Sequence, residues 1–151
     1  MKAKDIMTCP VISVREDATL VEIANTLLEN RISGVAVTDG SGKLIGMVSK
    51  SDLFLKEKGL PFSAVKLPWL FKDWLDPTQL TERYINSRQH TAADVMEANP
   101  ICANPEDDVG HVAWIMVKHD LKRVPVVKYG MPVGIITHTD IIRFLAKDKE
   151  P

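Results

Sequence analysis

The sequence predicts a mixed α/β fold, of the α+β kind, in which two similar units pack together with pseudo-twofold symmetry. A repeat carries this prediction, because Asp5 and Met7 recur about 90 positions later as Asp94 and Met96. Within each copy, apolar residues at helical spacing alternate with short β-branched runs, which predicts the order strand, helix, strand, strand, helix. A unit of under about 60 residues buries too little surface to be stable alone, so the copies should pack on each other.

The repeat divides the 151 residues into three parts. We expect the first copy at 1–58, the second at 91–151, and an insert at 59–90 between them. Prolines in first-turn positions and helical spacing of its rings predict two short helices in the insert. These rings would cover the edge of the paired repeats or a self-association surface, or they would dock another protein. The aromatic residues concerned are Phe62, Trp69, Phe71, Trp74 and Tyr84.

The elements of the first copy follow from local signals. An extended lead is expected at 11–14, and a capping box from Thr19 to Glu22 predicts a helix that begins near Thr19. Turn residues at 39–42 predict that two strands, at 34–38 and 44–48, pair as a hairpin, and a last helix should run to about residue 58. The residues predicted to face the core from the first helix are Leu20, Ile23, Ala24, Leu27 and Leu28.

The second copy repeats this order. Its extended lead is expected at 101–104, Asp108 is the predicted N-cap of its first helix, and its strands are expected at 124–127 and 133–136. The apolar face of its first helix should contain Val109, Val112, Ala113, Met116 and Val117. Its last helix carries the apolar residues Ile141, Ile142 and Leu145.

One seven-residue motif occurs twice, at 46–52 and 134–140, where a strand meets a helix. It consists of Gly, two apolar residues, Ser or Thr, two variable residues and Asp. Ser49 and Thr137 would cap the helices, with Asp52 and Asp140 in the first turn, and this capping role needs no ligand. The same groups also suit a nucleotide. A carboxylate accepts hydrogen bonds from ribose hydroxyls, while hydroxyls, backbone N–H groups and nearby cations suit a phosphate.

The doubled motif, the Asp-x-Met starts at 5–7 and 94–96, and the Arg-Val-Pro-Val-Val run at 123–127 make the chain resemble a tandem CBS-domain protein, the pair called a Bateman module. The likeness covers both copies, roughly three quarters of the chain. It implies a cleft between paired strands that binds AMP, ADP or ATP, or in some relatives S-adenosylmethionine or a dinucleotide.

The resemblance also implies roles for single residues. The motif aspartate would hold the ribose, the motif Ser or Thr would lie near ribose or phosphate, and the extended lead would contact the adenine. One predicted site contains Ser49, Lys50 and Asp52 with Pro10 and Val11. The other contains Thr137, His138 and Asp140 with Pro100 and Ile101, and Lys122 and Arg123 as nearby cations. Because Gly34 stands in the first copy where Arg123 stands in the second, we expect the second site to favour phosphate-bearing ligands.

The composition argues against several other classes of protein. The net charge of −1 gives no basic excess for a nucleic acid or an anionic membrane, and no apolar run approaches the roughly 18 residues of a membrane span. We therefore expect a cytoplasmic protein without nucleic-acid or membrane partners. The histidines have no metal-site spacing, and no hydrolase, P-loop or zincin motif is present, so the sequence predicts no metal site, no catalytic cofactor and no enzymatic activity.

The sequence thus predicts a stand-alone regulatory module that binds an adenine nucleotide reversibly and signals its occupancy to a partner of open identity. The resemblance further implies a homodimer. Two alternatives stay open. One is a ligand-independent structural or protein-interaction module, in which the motifs only cap helices. The other is a sensor of S-adenosylmethionine or a dinucleotide with the same fold.

Overall fold

The computed structural model describes residues 1–55 and 90–147, with the backbone alone at residues 54 and 55. The predicted helices and aromatic residues of the insert lie outside the described residues. The elements before the insert are α1 (Ala3–Ile6), β1 (Ser13–Arg15), α2 (Leu20–Glu29), β2 (Gly34–Thr38), β3 (Leu44–Ser49) and α3 (Lys50–Leu55). Those after it are α4 (Ala92–Val95), β4 (Glu97–Ala98), α5 (Val109–Lys118), β5 (Arg123–Lys128), β6 (Met131–Thr137) and α6 (His138–Lys147).

The longer helices begin where the capping signals predict. At α2, the Thr19 hydroxyl accepts from the Glu22 amide at 3.2 Å, and the Glu22 carboxylate accepts from the Thr19 amide at 2.9 Å. At α5, the Asp108 carboxylate accepts from the Gly110 amide at 2.9 Å. Each cap satisfies a backbone donor that the first helical turn leaves unpaired, so the local sequence fixes the helix start.

The strands form a four-stranded sheet in the order β1-β2-β3-β4 and a two-stranded sheet of β5 and β6. β1 runs parallel to β2, and the other neighbouring pairs are antiparallel. Two isolated bridges give the smaller sheet the same neighbours: Ala103 pairs with Val126 in parallel, and Thr8 pairs with Ile135 in antiparallel fashion. Corresponding segments therefore meet corresponding strands in both halves, as the predicted pseudo-twofold symmetry requires.

The two repeats exchange their leading helices. α1 packs into the core of the second repeat, where Ala3 is fully buried, and its Ala3 amide donates to the Asp107 carbonyl at 2.8 Å. In the same way, α4 packs into the core of the first repeat, where Ala92 is fully buried and donates to the Ala18 carbonyl at 2.8 Å. Each hydrophobic core is thus completed by a segment that belongs, in sequence, to the other repeat.

The residue after each leading helix explains the glycine of the repeated motif. The thioether of Met7 lies over Gly134 in β6, and that of Met96 lies over Gly46 in β3. A Cβ at either glycine would collide with the methionine side chain, so only glycine permits this close approach. The motif glycines therefore serve the packing between repeats.

The apolar stripe on the helices is narrower than the sequence predicts. Ile23 and Leu27 of α2 are buried, but Leu28 is 69% exposed. Its counterpart in α5, Val117, is 83% exposed, so the core assignment of both residues was wrong. Each of these helices packs a single face on its sheet, and a residue one position further along the chain is turned about 100° away from that face.

The exchange of leading helices predicts a sharp difference between two neighbouring alanines of α4. Ala92→Leu should lower the free energy of unfolding by about 1–3 kcal/mol, because the larger side chain overpacks a filled core. Ala93→Leu, at an exposed position of the same helix, should change it by less than about 0.5 kcal/mol. Urea denaturation followed by circular dichroism measures both, and equal effects would show that α4 does not close the core.

Candidate functional site

A cavity of about 550 Å³ opens between the repeats, at the carboxyl end of β3. Both repeats contribute to its wall, and its size lies in the range typical of small-molecule sites. The first repeat supplies Ser33, Met47, Ser49, Lys50, Ser51 and Asp52. The second repeat supplies Glu97, Asn99, Pro100, Ile101, Asp120, Leu121, Lys122, Arg123 and Pro125.

The first copy of the motif presents its carboxylate to this cavity. The amide and the hydroxyl of Ser49 both donate to Oδ2 of Asp52, at 2.8 and 3.0 Å. Among the described residues, Oδ1 of Asp52 has no hydrogen-bond partner, and the residue is half-buried. The start of α3 is therefore held by the Asp52 carboxylate, to which Ser49 donates, rather than by the predicted Ser49 cap. This contact uses only one of the two carboxylate oxygens, leaving the other to accept hydrogen bonds.

Arg123 reaches across from the second repeat into the first. Its guanidinium donates to the Ser33 hydroxyl at 2.9 Å, and its side chain lies directly on Gly34. A Cβ at Gly34 would stand 2.6 Å from the Arg123 Nε, so the bare glycine makes room for the crossing side chain. Burial lowers the pKa of Arg123 and the nearby Asp52 charge opposes that shift, so the guanidinium is a partly desolvated cation beside the motif carboxylate.

The remaining wall divides into a charged and an apolar part. Lys50 and Lys122 add two further cations, which Glu97 and Asp120 offset with two carboxylates. The apolar part consists of Met47, Pro100, Ile101, Leu121 and Pro125. A wall of this composition offers apolar contacts to a flat ring and charged partners to a polar group.

The second copy of the motif has a different environment. Oδ2 of Asp140 accepts from the amide and the hydroxyl of Thr137, at 2.8 and 2.9 Å, as in the first copy. Oδ1 of Asp140, however, accepts from the Arg143 guanidinium at 3.1 Å, and the Asp140 side chain is only 4% exposed. Both of its oxygens are thus engaged within its own helix turn.

Asp140 lines a smaller cavity of about 330 Å³ on the side of α1. Its other wall residues are Met1, Asp5, Ile6, Arg143, Phe144 and Lys147. Neither Thr137 nor the predicted lead residues Pro100 and Ile101 belong to this wall. His138 is the first residue of α6 and is exposed, and its contact with a phosphate stays a prediction.

The structure groups the predicted site residues differently from the sequence expectation. Pro100, Ile101 and Arg123, which were assigned to the site of Asp140, line the cavity of Asp52 instead. Pro10 and Val11, which were assigned to Asp52, are absent from the wall of that cavity. The physical reason is the exchange of leading segments, because β4 pairs with β3 and so carries residues 99–101 past the first motif.

Several wall residues were missed by sequence reasoning. Ser33 and Asp120 lie in the loops that connect a helix to the next strand, and Asn99 lies just after β4. Asn99 and Asp120 adopt left-handed backbone angles, with φ of 50° and 52°. Asn and Asp tolerate this conformation best, so their position in these short loops was the available signal for the turns, though not for the cavity.

Within residues 1–55 and 90–147, no cluster of three or more His, Cys, Asp or Glu side chains is arranged to hold a metal ion. No helix in the same two ranges has the length and apolar character needed to cross a membrane.

The family model of the CBS domain matches the chain twice, at residues 3–58 and 92–147. An uncharacterized protein of Methanocaldococcus jannaschii is 33% identical over 96% of this chain and 91% of its own length. The next two curated relatives are longer, and the chain spans 23% and 43% of their lengths.

Solved structures show the same fold. The CBS domain of a CBS-domain-containing membrane protein from Sphaerobacter thermophilus is 36% identical, with a TM-score of 0.74 over 95% of this chain and 86% of that one. The CBS domain pair of the protein MJ0100, in complex with 5′-methylthioadenosine and S-adenosylmethionine, is 27% identical, with a TM-score of 0.72 over 99% of this chain and 98% of that one. The resemblance inferred from the sequence is therefore confirmed, and the chain belongs to the CBS domain family as a tandem pair of CBS domains.

Proposed function

We propose that the cavity at Asp52 binds an adenosine-containing ligand reversibly and that the chain acts as a regulatory module rather than as an enzyme. The observation that carries this proposal is the carboxylate of Asp52, whose Oδ1 atom has no partner in the described structure and which lines a cavity together with Lys50, Lys122 and Arg123. A carboxylate in this setting suits a neutral diol, because two ribose hydroxyls can donate to it.

The polarity of the wall supports one orientation of the ligand. With the ribose at Asp52, the 5′ group would point to Arg123 and Lys122, while the base would lie against the apolar residues that include Ile101. An AMP phosphate would gain charge-assisted hydrogen bonds from the guanidinium, which is partly desolvated and bound to Ser33. AMP, ADP and ATP are therefore the first candidates.

A second ligand class has its own support. The three cations of the cavity wall face three carboxylates, so a ligand without a net negative charge also matches its electrostatics. The MJ0100 domain pair, whose structure contains 5′-methylthioadenosine and S-adenosylmethionine, resembles nearly the whole of this chain. S-Adenosylmethionine or methylthioadenosine is accordingly the alternative to an adenine nucleotide.

The readout of occupancy would begin at α3. Lys50 and Asp52, which line the cavity, form the first turn of this helix, and the helix leads toward the insert. A ligand that binds one conformation of α3 more tightly shifts the conformational equilibrium of this helix. The size of the shift is the difference in binding free energy between the two conformations, typically about 1–3 kcal/mol. We propose that this shift passes to a protein partner in the cytoplasm.

Removing the motif carboxylate tests the binding site. Asp52→Ala should weaken the binding of the ligand that wild type prefers by about ten- to a hundredfold, because a hydrogen bond to a charged group contributes about 1.5–3 kcal/mol. Isothermal titration with AMP, ATP, S-adenosylmethionine and methylthioadenosine measures this loss. Asp17→Ala removes an exposed carboxylate outside the cavity and should bind as wild type does. A wild-type protein that binds none of the four at millimolar concentration would refute the proposed function.

Arg123→Gln separates the two ligand classes. AMP and methylthioadenosine share the adenosine and differ at the 5′ position, so loss of the guanidinium should weaken AMP about tenfold and methylthioadenosine less than about threefold. Lys128→Gln, at the other end of β5 and away from the cavity wall, is the matched loss of one positive charge. Equal losses for both ligands would mean that Arg123 does not serve the 5′ phosphate.

We also propose a homodimer that forms through the helical faces. Four apolar residues on the helices are more than half exposed: Leu28, Val117, Ile142 and Leu145. Light scattering should give about twice the chain mass of 16.8 kDa at micromolar concentration. A mass that stays at one chain across this range would reject the dimer.

A further inference from the structure

The carboxylates of the two motif copies differ in how many further hydrogen bonds they can accept. Asp52 has one free oxygen among the described residues, whereas Asp140 has none, because Arg143 occupies it. The place of Arg143 in the first copy is held by Leu55, which carries no charge and cannot compete for Asp52. A ribose at Asp140 would have to displace a guanidinium from a carboxylate that is 4% exposed, and so would break one charged hydrogen bond to make others.

The two copies also differ in the residue that begins the strand after the long helix, and this difference again favours the cavity of Asp52. Arg123 begins β5 of the second repeat, yet its guanidinium binds Ser33 and lines the cavity of Asp52. Its counterpart in the first repeat, Gly34, has no side chain that could reach toward Asp140. The cavity of Asp52 therefore gains a guanidinium from the second repeat, while the corresponding position of the first repeat, Gly34, contributes no side chain to the surroundings of Asp140.

We infer that the chain binds one ligand, at Asp52, and that the second motif is a structural copy in which Arg143 replaces the ligand. This inference rests on the proposed function and adds its stoichiometry and location. Gly34 is the positioning residue for the site, since its missing Cβ holds open the path by which Arg123 crosses between repeats. Binding groups from both repeats thus line the same cavity.

The first test is the stoichiometry of wild type, titrated with each of the four adenosine compounds named above. We expect one ligand per chain and amide chemical-shift changes at residues 49–52 and 122–123, with none centred on 137–140. Two ligands per chain, or changes centred on 137–140, would overturn the one-site inference while leaving the proposed function standing. Binding of none of the compounds would instead refute the proposed function, and the inference with it.

The second test moves Arg123 without changing its charge. Gly34→Ala places a methyl group against the arginine side chain, which must shift, and should weaken AMP about tenfold at an unchanged stoichiometry. Gly40→Ala is the matched control, because its Cβ would meet nothing within 4 Å, and it should bind AMP as wild type does. A folded Gly34→Ala protein with wild-type affinity for AMP would contradict the role of the crossing.

The third test needs no ligand. If Asp140 is structural, Asp140→Ala should lower the melting temperature more than Asp52→Ala, since Asp140 is buried and, among the described residues, accepts three hydrogen bonds where Asp52 accepts two. Differential scanning calorimetry compares the two variants. An equal or larger shift for Asp52→Ala would count against the structural assignment of the second motif, whichever ligand binds.

Discussion

The exchange of leading helices is the contact on which the rest of the structure depends. Without α1, the second core would lose the buried side chain of Ala3, and without α4 the first core would lose Ala92. The same exchange brings β4 beside β3, which carries residues 99–101 to the first motif. The interaction that stabilises the pair therefore also builds the cavity, and stability and binding share one set of contacts.

Symmetry is kept in the backbone and broken in the side chains. Both halves have matching caps, matching strand neighbours and a methionine on a glycine. The differences that bear on the two motifs include Gly34 against Arg123 and Leu55 against Arg143. The shared backbone contacts preserve the fold, while these positions decide how the two motifs differ in chemistry.

Local signals made most of the fold predictable. The capping residues Thr19 and Asp108 fixed helix starts, and the turn at 39–42 fixed a hairpin. The membership of the site was not predictable in the same way, because both repeats offer the same chemistry and only the packing decides which lead meets which motif. Spacing alone also could not show that the buried stripe stops before Leu28, since its width depends on how many elements pack against the helix.

The pairing of Gly34 with Arg123 limits how far the two halves could be made alike. Two identical copies of the second repeat, joined in tandem, would place a guanidinium at both positions. Each would enter the space that the other needs, with like charges brought close together in a partly desolvated interface. A perfectly symmetric tandem is therefore disfavoured at this point, and a duplicated ancestor of such a pair would gain by giving up one of the two side chains.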